Sequence, residues 1–208
     1  MKNLQGKNIL ITGAASGIGQ ALALEFTAAG SNIIIADINE DGMKQTASQI
    51  EAKGGKVVIF RTDISKPEEI ESLASRAIKE AGQVDVLVNN AGIGFVSETQ
   101  NVTPEEWRKI LAINLHGPIF LCHYLLPHMI ARGSGHIVNI ASMAGLIGVP
   151  GFVPYCTTKF GLVGYSEALR AEIAHYGITV TAVCPGIIAT PIIHTSTIKG
   201  FNQKMKRH

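Results

Sequence analysis

The sequence predicts a doubly wound α/β fold, in which a parallel sheet carries helices on both faces. Short β-branched runs alternate with segments of helical length along the chain. The runs are apolar throughout, as in strands that are covered on both faces, and the first leads into a glycine-rich turn. The 208 residues suit one domain, and no repeat or linker divides them. We therefore expect a single domain over residues 1–208.

Six segments have the composition expected of strands: NILIT (8–12), NIIIA (32–36), KVVIF (56–60), VDVLV (84–88), HIVNI (136–140) and ITVTAV (178–183). Helical segments are expected between them, at about 17–29, 40–53, 67–81, 104–131 and 154–175. Thr103, Pro104 and Glu106 form a capping signal, and Ser65 with Glu68 forms a weaker one. Strand–helix–strand units of this kind cross over with a right hand, which gives the doubly wound sheet.

Composition and charge exclude several classes of protein. Charged residues are 16% of the chain and hydrophobic residues 46%, and the net charge of +2 is too small to argue for nucleic acid. The basic residues at 204–208 are expected to form a solvated tail. Residues 137–158 hold no charged side chain, but prolines and glycines interrupt them, so a buried strand and loop is favoured over a membrane span.

The cysteines and histidines favour a reduced, metal-free protein. Cys122, Cys156 and Cys184 are widely spaced and form no CxxC pair, which fits free thiols in the cytoplasm. The N-terminus runs into the first strand without the pattern of a signal peptide. His123 and His128 lack a carboxylate at ligand spacing, so we expect no metal site.

The stretch ITGAASGIGQALA follows the first strand and opens a helix. Ligands of such sheets bind beyond the carboxyl ends of the strands, where a glycine turn lets backbone N–H groups approach a phosphate. Gly13 would make the turn, while Gly17 and Gly19 would leave room for a pyrophosphate and for helix–strand packing. The spacing lacks the GK[ST] ending of an ATP-binding loop. A dinucleotide site is therefore favoured over a plain strand-to-helix turn.

Asp37 ends the second strand and indicates which dinucleotide would bind. A carboxylate there can accept both hydroxyls of the adenosine ribose and would repel a 2′-phosphate. No arginine or lysine stands beside it or in the glycine loop to receive that phosphate. NAD is therefore favoured over NADP, the alternative being that Asp37 is an ordinary turn residue.

Six stretches together resemble the short-chain dehydrogenase/reductase family in order and spacing: TGAASGIG (12–19), NNAG (89–92), Asn114, Ser142, YCTTK (155–159) and PG (185–186). The likeness runs from the first strand to about Thr190. It implies a Rossmann-like catalytic domain that transfers a hydride between NAD(H) and a secondary alcohol or ketone. It also implies a homodimer or homotetramer.

The resemblance assigns the catalytic roles. Tyr155 would be the general acid/base, Ser142 would orient the substrate carbonyl, and Asn114 would hold a water. Lys159 lies one helical turn from Tyr155 and would also hold the nicotinamide ribose. An ammonium about 6 Å from a phenolate contributes about 3 kcal/mol at an effective dielectric of about 20. We therefore expect Lys159 to lower the pKa of Tyr155. Ser142 as a simple loop cap remains the alternative.

Two further features concern Asn114 and Tyr155. Pro118 has no N–H for the carbonyl of Asn114, which leaves that carbonyl to a water or marks a simple packing kink. Cys156, next to Tyr155, is expected to be a packed residue and not a redox switch.

The resemblance also implies a set of cofactor contacts. They include residues around the adenine, after the fourth strand and over the nicotinamide: Gly13, Ser16, Gly17, Ile18, Gly19, Asp37, Ile38, Asp63, Ile64, Asn90, Ala91, Gly92, Tyr155, Lys159, Pro185, Gly186, Ile188 and Thr190. Apolar residues are expected to face the substrate: Leu146, Ile147, Val149, Phe152, Ile192 and Ile193.

The chain ends at His208, whereas members of the family usually continue through a helical substrate lid and a last strand. We therefore expect part of the lid and the last strand to be missing, or an exposed sheet edge. This leaves a second hypothesis, a catalytically inactive NAD-binding interaction or sensor module.

Overall fold

The computed structural model describes residues 3–200, apart from the side chain of Ile193, so the basic tail at 204–208 lies outside the described residues. Its strands are β1 (Asn8–Thr12), β2 (Asn32–Asp37), β3 (Val57–Arg61), β4 (Val86–Asn89), β5 (Phe95–Ser97), β6 (Gly135–Ile140), β7 (Ile178–Val183) and β8 (Thr197–Lys199). Its α-helices are α1 (Gly17–Ala28), α2 (Glu40–Ala52), α3 (Pro67–Ala81), α4 (Pro104–Leu111), α5 (Gly117–Arg132), α6 (Val153–Ile173) and α7 (Ile192–Thr195).

The main sheet has six strands in the order β3-β2-β1-β4-β6-β7, and every neighbouring pair is parallel. All six predicted strands are present. The chain winds outward from β1 to β3 and then returns to place β4 on the other side of β1. The strand order therefore reverses between β1 and β4, and ligands of open α/β sheets bind at such a switch point.

The two faces of the sheet are covered by different helices. Ile9 of β1 belongs to a core cluster with Met43 of α2. The next residue, Leu10, belongs to a second cluster with Leu121 of α5 and Leu169 of α6. Successive side chains of a strand point to opposite faces, which explains why every β1 residue from 9 onward is apolar or buried. The doubly wound three-layer fold is therefore confirmed.

The long middle helix, predicted as continuous over 104–131, is interrupted. A π-helical turn, Ala112–His116, separates α4 from α5, and the Gly117 N–H donates to the Ala112 carbonyl, five residues back. Pro118 has no N–H to donate to Asn114, so a regular α-helix cannot continue here. Such π-helical turns occur often at functional sites.

The two capping predictions have different outcomes. The Thr103 hydroxyl accepts from the Glu106 N–H, and the Glu106 carboxylate accepts from the Thr103 N–H, so α4 begins with the predicted capping box. The N-cap of α3 is Lys66 and not Ser65. Ser65 instead donates its hydroxyl to Asp63 at 2.6 Å, because the carboxylate two residues back is a stronger acceptor.

Residues 184–199, which we call the strap, follow β7 and contain elements that the sequence did not predict. Within the strap, α7 has four residues and β8 has three, and β8 pairs in parallel with β5 outside the main sheet. Lys199 ends β8 and its ammonium lies 2.7 Å from the Glu106 carboxylate of α4. The strap is therefore attached at both ends, to β7 and to the start of α4.

Within residues 3–200, one helical run, Pro104–Arg132, is long and apolar enough to cross a membrane by length and composition alone. The core helix of a soluble protein passes the same test, so the finding is weak evidence. Leu121, Leu125 and Met129 of this run are buried in the core beside the sheet.

Candidate active site

A cavity of about 450 Å³, which we call the crevice, opens at the carboxyl ends of the strands around the switch point. It is lined by eighteen of the twenty residues that we predicted for the site: Gly13, Ser16, Gly17, Ile18, Asp37, Ile38, Asp63, Ile64, Asn90, Ala91, Gly92, Ser142, Tyr155, Lys159, Pro185, Gly186, Ile188 and Thr190. Gly19 and Asn114 do not line it. The structure thus brings residues from seven separate stretches of chain to one cavity.

The glycine turn after β1 depends on the absence of side chains. Gly13 has φ +67°, and a Cβ atom there would lie 2.7 Å from the Cα atom of Ala91. A Cβ atom on Gly19 would collide with the Gly13 carbonyl. Gly19 therefore serves the packing of α1 against the turn, which is why it lies behind the crevice.

Thr12 and Asn90 join the turn to the end of β4. The Thr12 hydroxyl accepts from the backbone N–H groups of Asn90 and Ala91, each at 3.1 Å. The Asn90 amide donates to the carbonyls of Thr12 at 3.0 Å and Gly13 at 2.9 Å. Thr12 was not predicted as a site residue, although it ends the first strand just before the glycines, where its hydroxyl can reach the neighbouring strand.

Asp37 holds the glycine turn as well as facing the crevice. One carboxylate oxygen accepts from the Ala15 N–H at 3.0 Å and the other from the Asn39 N–H at 2.9 Å. The sheet register places Arg61 of β3 beside Asp37, which corrects the expectation that no basic residue stands next to it. The Arg61 guanidinium lies 3.4 Å from the Glu69 carboxylate and does not line the crevice.

Asp63 stands at the same end of the crevice. Burial raises the pKa of its carboxyl group, but hydrogen bonds from the Ser65 hydroxyl and N–H outweigh this, so the pKa lies below its usual value. The Asp63 N–H donates to Glu69 at 2.7 Å. Glu69 therefore holds both Arg61 and the loop that carries Asp63.

Tyr155 and Lys159 lie in the first turns of α6, on the side that faces the crevice. The Lys159 ammonium is 5.7 Å from the centre of the Tyr155 ring and donates to the Ile140 carbonyl at 2.9 Å. Lys159 is 4% exposed, and its burial lowers the pKa of the ammonium to about 8, partly offset by Cys184. The spacing of four residues therefore does place both groups together.

The pKa of Tyr155 differs from the expectation. Burial raises it, the Ser142 hydroxyl lowers it in part, and Cys156 raises it further. The predicted lowering of the Tyr155 pKa by Lys159 is therefore not found. The reason is physical: both groups are removed from water, and the ammonium is directed at a carbonyl, so desolvation outweighs their attraction.

Ser142 caps a turn, which is the alternative role considered for it, and it also faces the crevice. Its hydroxyl oxygen accepts from the Ala144 N–H at 3.1 Å and caps the 3₁₀ turn Met143–Gly145. The same hydroxyl interacts with the Tyr155 phenol. The hydroxyl has one hydrogen, which it can donate to the Tyr155 oxygen or to a substrate oxygen beside it.

Asn114 is fully buried and supports the site from behind. Its side chain accepts from the Ile93 N–H at 2.8 Å and donates to the Ile93 carbonyl at 2.9 Å. It also donates to the Thr158 hydroxyl at 3.3 Å, and that hydroxyl donates to the Tyr155 carbonyl at 2.8 Å. The π-helical turn thus connects the loop after β4 to the start of α6.

The apolar residues are arranged differently from the prediction. Leu146, Ile147, Val149 and Phe152 do not line the crevice, and Leu146 and Ile147 are more than half exposed. Ile192 does line it, and the side chain of Ile193 is outside the described part of the chain. Further isoleucines, which the sequence did not identify, complete the apolar lining: Ile93, Ile113 and Ile140.

No three His, Cys, Asp or Glu side chains between residues 3 and 200 are grouped so that they could hold a metal ion. The three cysteines are free, with Cys122 and Cys156 buried and Cys184 partly exposed. Burial raises the pKa of the Cys122 thiol to about 11, which makes it unreactive.

The model of the short chain dehydrogenase family matches residues 7–199. The chain belongs to the short-chain dehydrogenase/reductase family. It is 39% identical to a probable oxidoreductase EphD of Mycobacterium tuberculosis over 90% of this chain, but it spans only 32% of that relative's length. It is 37% identical to a cyclohexanol dehydrogenase of an Acinetobacter species, over 90% of this chain and 75% of the relative.

Solved structures of the family have the same fold. A short-chain dehydrogenase/reductase from Burkholderia phymatum in complex with NAD has a TM-score of 0.90 at 30% identity, over 94% of this chain and 70% of that one. A variant of actinorhodin polyketide ketoreductase with NADPH has a TM-score of 0.88 at 36% identity, over 92% of this chain and 74% of that one. The chain therefore belongs to a family whose solved structures include complexes with NAD and with NADPH.

Proposed function

We propose that the protein is an NAD(H)-dependent dehydrogenase or carbonyl reductase that acts on secondary alcohols and ketones. The observation that carries this proposal is the joint position of Ser142, Tyr155 and Lys159 on a crevice that also contains the glycine turn. A binding module needs the glycine turn but has no use for a half-buried phenol beside a buried ammonium.

The crevice fits a dinucleotide. Its lining runs from Asp37 and Asp63, where a ribose and adenine would bind, past the glycine turn to Tyr155. When bound, a nicotinamide cofactor supplies or accepts the hydride. Asp37 favours NAD because its carboxylate would repel a 2′-phosphate. Lys159 is the one basic side chain among the lining residues of the described chain, and it lies at the Tyr155 end.

Tyr155 would exchange the proton that accompanies the hydride. In reduction its hydroxyl donates a proton to the carbonyl oxygen, and in oxidation the phenolate takes the proton from the alcohol. Ser142 donates a hydrogen bond to the same oxygen and so fixes its position. The Lys159 ammonium, 5.7 Å from the centre of the Tyr155 ring, would attract the phenolate, but burial of Tyr155 outweighs this attraction and keeps its pKa raised.

The substrate is proposed to be uncharged and apolar. The crevice wall beside the catalytic groups is built largely from isoleucines, including Ile188 and Ile192. A charged substrate would lose its hydration there without finding a partner. The relatives include a cyclohexanol dehydrogenase and a D-threitol dehydrogenase, whose named substrates differ strongly in polarity. The lining favours the apolar alcohol.

The test measures NADH formation at neutral and alkaline pH with cyclohexanol, D-threitol and a series of secondary alkanols. We expect turnover with cyclohexanol and the alkanols, and a loss of about 10³-fold or more in Tyr155→Phe while NADH binding changes less than about threefold. Tyr176→Phe, at an exposed tyrosine far along the chain, is the matched control. Turnover that survives in Tyr155→Phe would contradict the assigned role.

The second candidate is an NAD-binding module without activity. The raised pKa of Tyr155 favours it, because little of the phenol is ionised at neutral pH. Equal NADH binding by wild type and Tyr155→Phe, with no turnover of any alcohol or ketone by either, would support the module.

We also propose that the protein self-associates in the cytoplasm. Phe120 of α5 and Phe160 of α6 are exposed, as is Val153, and exposed apolar helix faces commonly mark interfaces. The free thiols fit a reducing compartment. Light scattering on the purified protein would show a dimer or tetramer, and Phe160→Lys should shift it towards the monomer.

A further inference from the structure

A set of buried polar side chains, joined by hydrogen bonds, lies behind the crevice and has no part in the proposed reaction. We call this set the polar network. The Ser166 hydroxyl donates to the Leu162 carbonyl at 2.6 Å and accepts from the Asn139 amide at 2.8 Å. The Asn139 carbonyl oxygen accepts from the Asn89 amide at 2.8 Å. The same Asn89 amide lies 3.4 Å from the Cys122 sulfur. Ser166, Asn139 and Asn89 are each at most 2% exposed.

Each residue of the polar network adjoins a part of the site, either as its neighbour in sequence or on the same face of a helix. Asn139 directly precedes Ile140, whose carbonyl accepts from Lys159. Asn89 directly precedes Asn90, which holds the glycine turn. Ser166 follows Lys159 by two helical turns, so both side chains lie on the same face of α6. The polar network therefore joins α6 to β4 and β6, and the residues that follow Asn89 and Asn139 in sequence line the crevice.

Stability alone does not explain why the residues of the polar network are polar. Buried amides are costly unless all their groups are paired, and apolar side chains of similar size would pack α6 against the sheet without that cost. Among residues 3–200, no hydrogen-bond donor reaches the Asn89 side-chain oxygen, although it is buried. What the polar network adds is direction, because a shift of α6 along its axis would break the hydrogen bond from the Asn139 amide to the Ser166 hydroxyl, which joins the helix to the sheet.

We propose that Ser166, Asn139 and Asn89 set the position of α6 along its axis, and that this fixes Tyr155 and Lys159 relative to the ends of β4 and β6. The three are positioning residues and touch neither substrate nor cofactor. The effect on turnover rests on the proposed function, but the position of Lys159 does not. An error of about 1 Å in a catalytic group can cost about 10²-fold in rate, so a small shift of α6 would be measurable.

The experiment compares Ser166→Ala, which removes the hydroxyl, with Ser166→Thr, which keeps it. The first readout needs no substrate: the ammonium of Lys159 is titrated by NMR in the full 208-residue chain, with its signal assigned through Lys159→Met. In wild type and Ser166→Thr it should titrate near pH 8. In Ser166→Ala we expect the midpoint to rise by about one pH unit, because a displaced ammonium regains water.

The second readout is kinetic, with cyclohexanol and NAD as the probes. We expect kcat to fall about tenfold in Ser166→Ala, with KM and NADH affinity within about twofold, and Ser166→Thr to restore it. If Ser166→Ala does not fold, the Lys159 titration and the kinetics are measured on Asn139→Leu instead, because leucine is close to asparagine in size. A lower melting temperature with unchanged Lys159 titration and unchanged kcat would overturn the proposal. Absence of turnover in wild type would refute the proposed function. The titration of Lys159 would then decide whether the polar network positions α6.

Discussion

The two ends of the crevice are built on different physical principles. At the glycine-turn end, backbone hydrogen bonds fix the geometry and side chains are absent, as at Gly13, or partly exposed, as at Asp37. At the other end, Lys159 is buried and Tyr155 half-buried, and burial moves their pKa values in opposite directions, upward for Tyr155 and to about 8 for Lys159. Under the proposed function, the first end would select a ligand by shape, and the second would hold the groups that react.

The largest expected effect comes from adding one carbon to the end that depends on shape. In Gly13→Ala the new methyl group would meet the backbone of Ala91 while the residue is held at φ +67°, so both strain and collision oppose the native turn. We expect NADH binding, measured by fluorescence titration, to weaken by about 100-fold or more. Gly164→Ala is the matched control, since a Cβ atom there would contact nothing within 4 Å and should leave binding unchanged. Wild-type affinity in Gly13→Ala would show that the turn is not a ligand site.

The second prediction tests whether Asp37, at the glycine-turn end, discriminates between NADH and NADPH. Asp37→Asn keeps the shape and removes the charge, so we expect the ratio of NADH to NADPH affinity to fall about tenfold to 100-fold. Adding Glu69→Gln would release Arg61 towards the site and lower the ratio further. Asp41→Asn is the control, because that side chain is 89% exposed and does not line the crevice. An unchanged ratio would mean that Asp37 serves only the turn.

Local sequence pattern predicted the parts of the molecule that are determined locally. Each strand of the main sheet has its own run of β-branched residues, and the capping box of α4 lies within four residues. The glycine turn was predictable because the Gly13 conformation excludes other residues whatever surrounds it. The spacing of Tyr155 and Lys159 predicted their proximity for the same reason, since one helical turn fixes it.

What the sequence could not provide depends on partners that are distant along the chain. Arg61 is 24 positions from Asp37, and only the register of two parallel strands makes them neighbours. The link from Asn89 to Asn139 and Ser166 spans three elements, and no local pattern in the sequence relates these three residues. The pKa of Tyr155 was predicted with the wrong sign because its dominant cause is burial, which depends on the whole fold.

The third effect separates stability from reactivity at the buried end. The pKa of Lys159 is lower in the folded protein than its ordinary value of 10.5, so the unfolded chain binds the extra proton between about pH 8 and 10.5. Lys159 therefore destabilises the fold at pH 7, and Lys159→Met should raise the free energy of unfolding there by about 1–2 kcal/mol while abolishing turnover.

The sign of this effect can be checked by pH. As the pH rises from 8 to 10.5, wild type loses the cost of a buried ammonium, so the stability difference between Lys159→Met and wild type should shrink. Shifts of the other buried groups, such as Cys122, are common to both proteins and cancel. Urea unfolding at pH 7, 9 and 10.5 measures the difference. A variant less stable than wild type at pH 7 would indicate that the Ile140 hydrogen bond outweighs the desolvation.

The smallest effect concerns the strap, which lines the crevice at several positions between Pro185 and Thr195. Thr190 packs against the glycine turn, where a Cβ atom on Gly17 would lie 3.2 Å from the Thr190 Cβ atom. Lys199 is the far anchor of the strap, and its pair with Glu106 is only partly shielded, with side chains 41% and 24% exposed. Lys199→Ala should therefore speed NADH release about twofold and change the melting temperature by less than about 2 °C. The difference in release rate should vanish in about 1 M salt, because a partly exposed ion pair is screened there. Lys44→Ala, which breaks the exposed pair with Asp41 on α2, is the control and should leave the release rate unchanged. A twofold effect in both variants would trace it to surface charge and not to the strap.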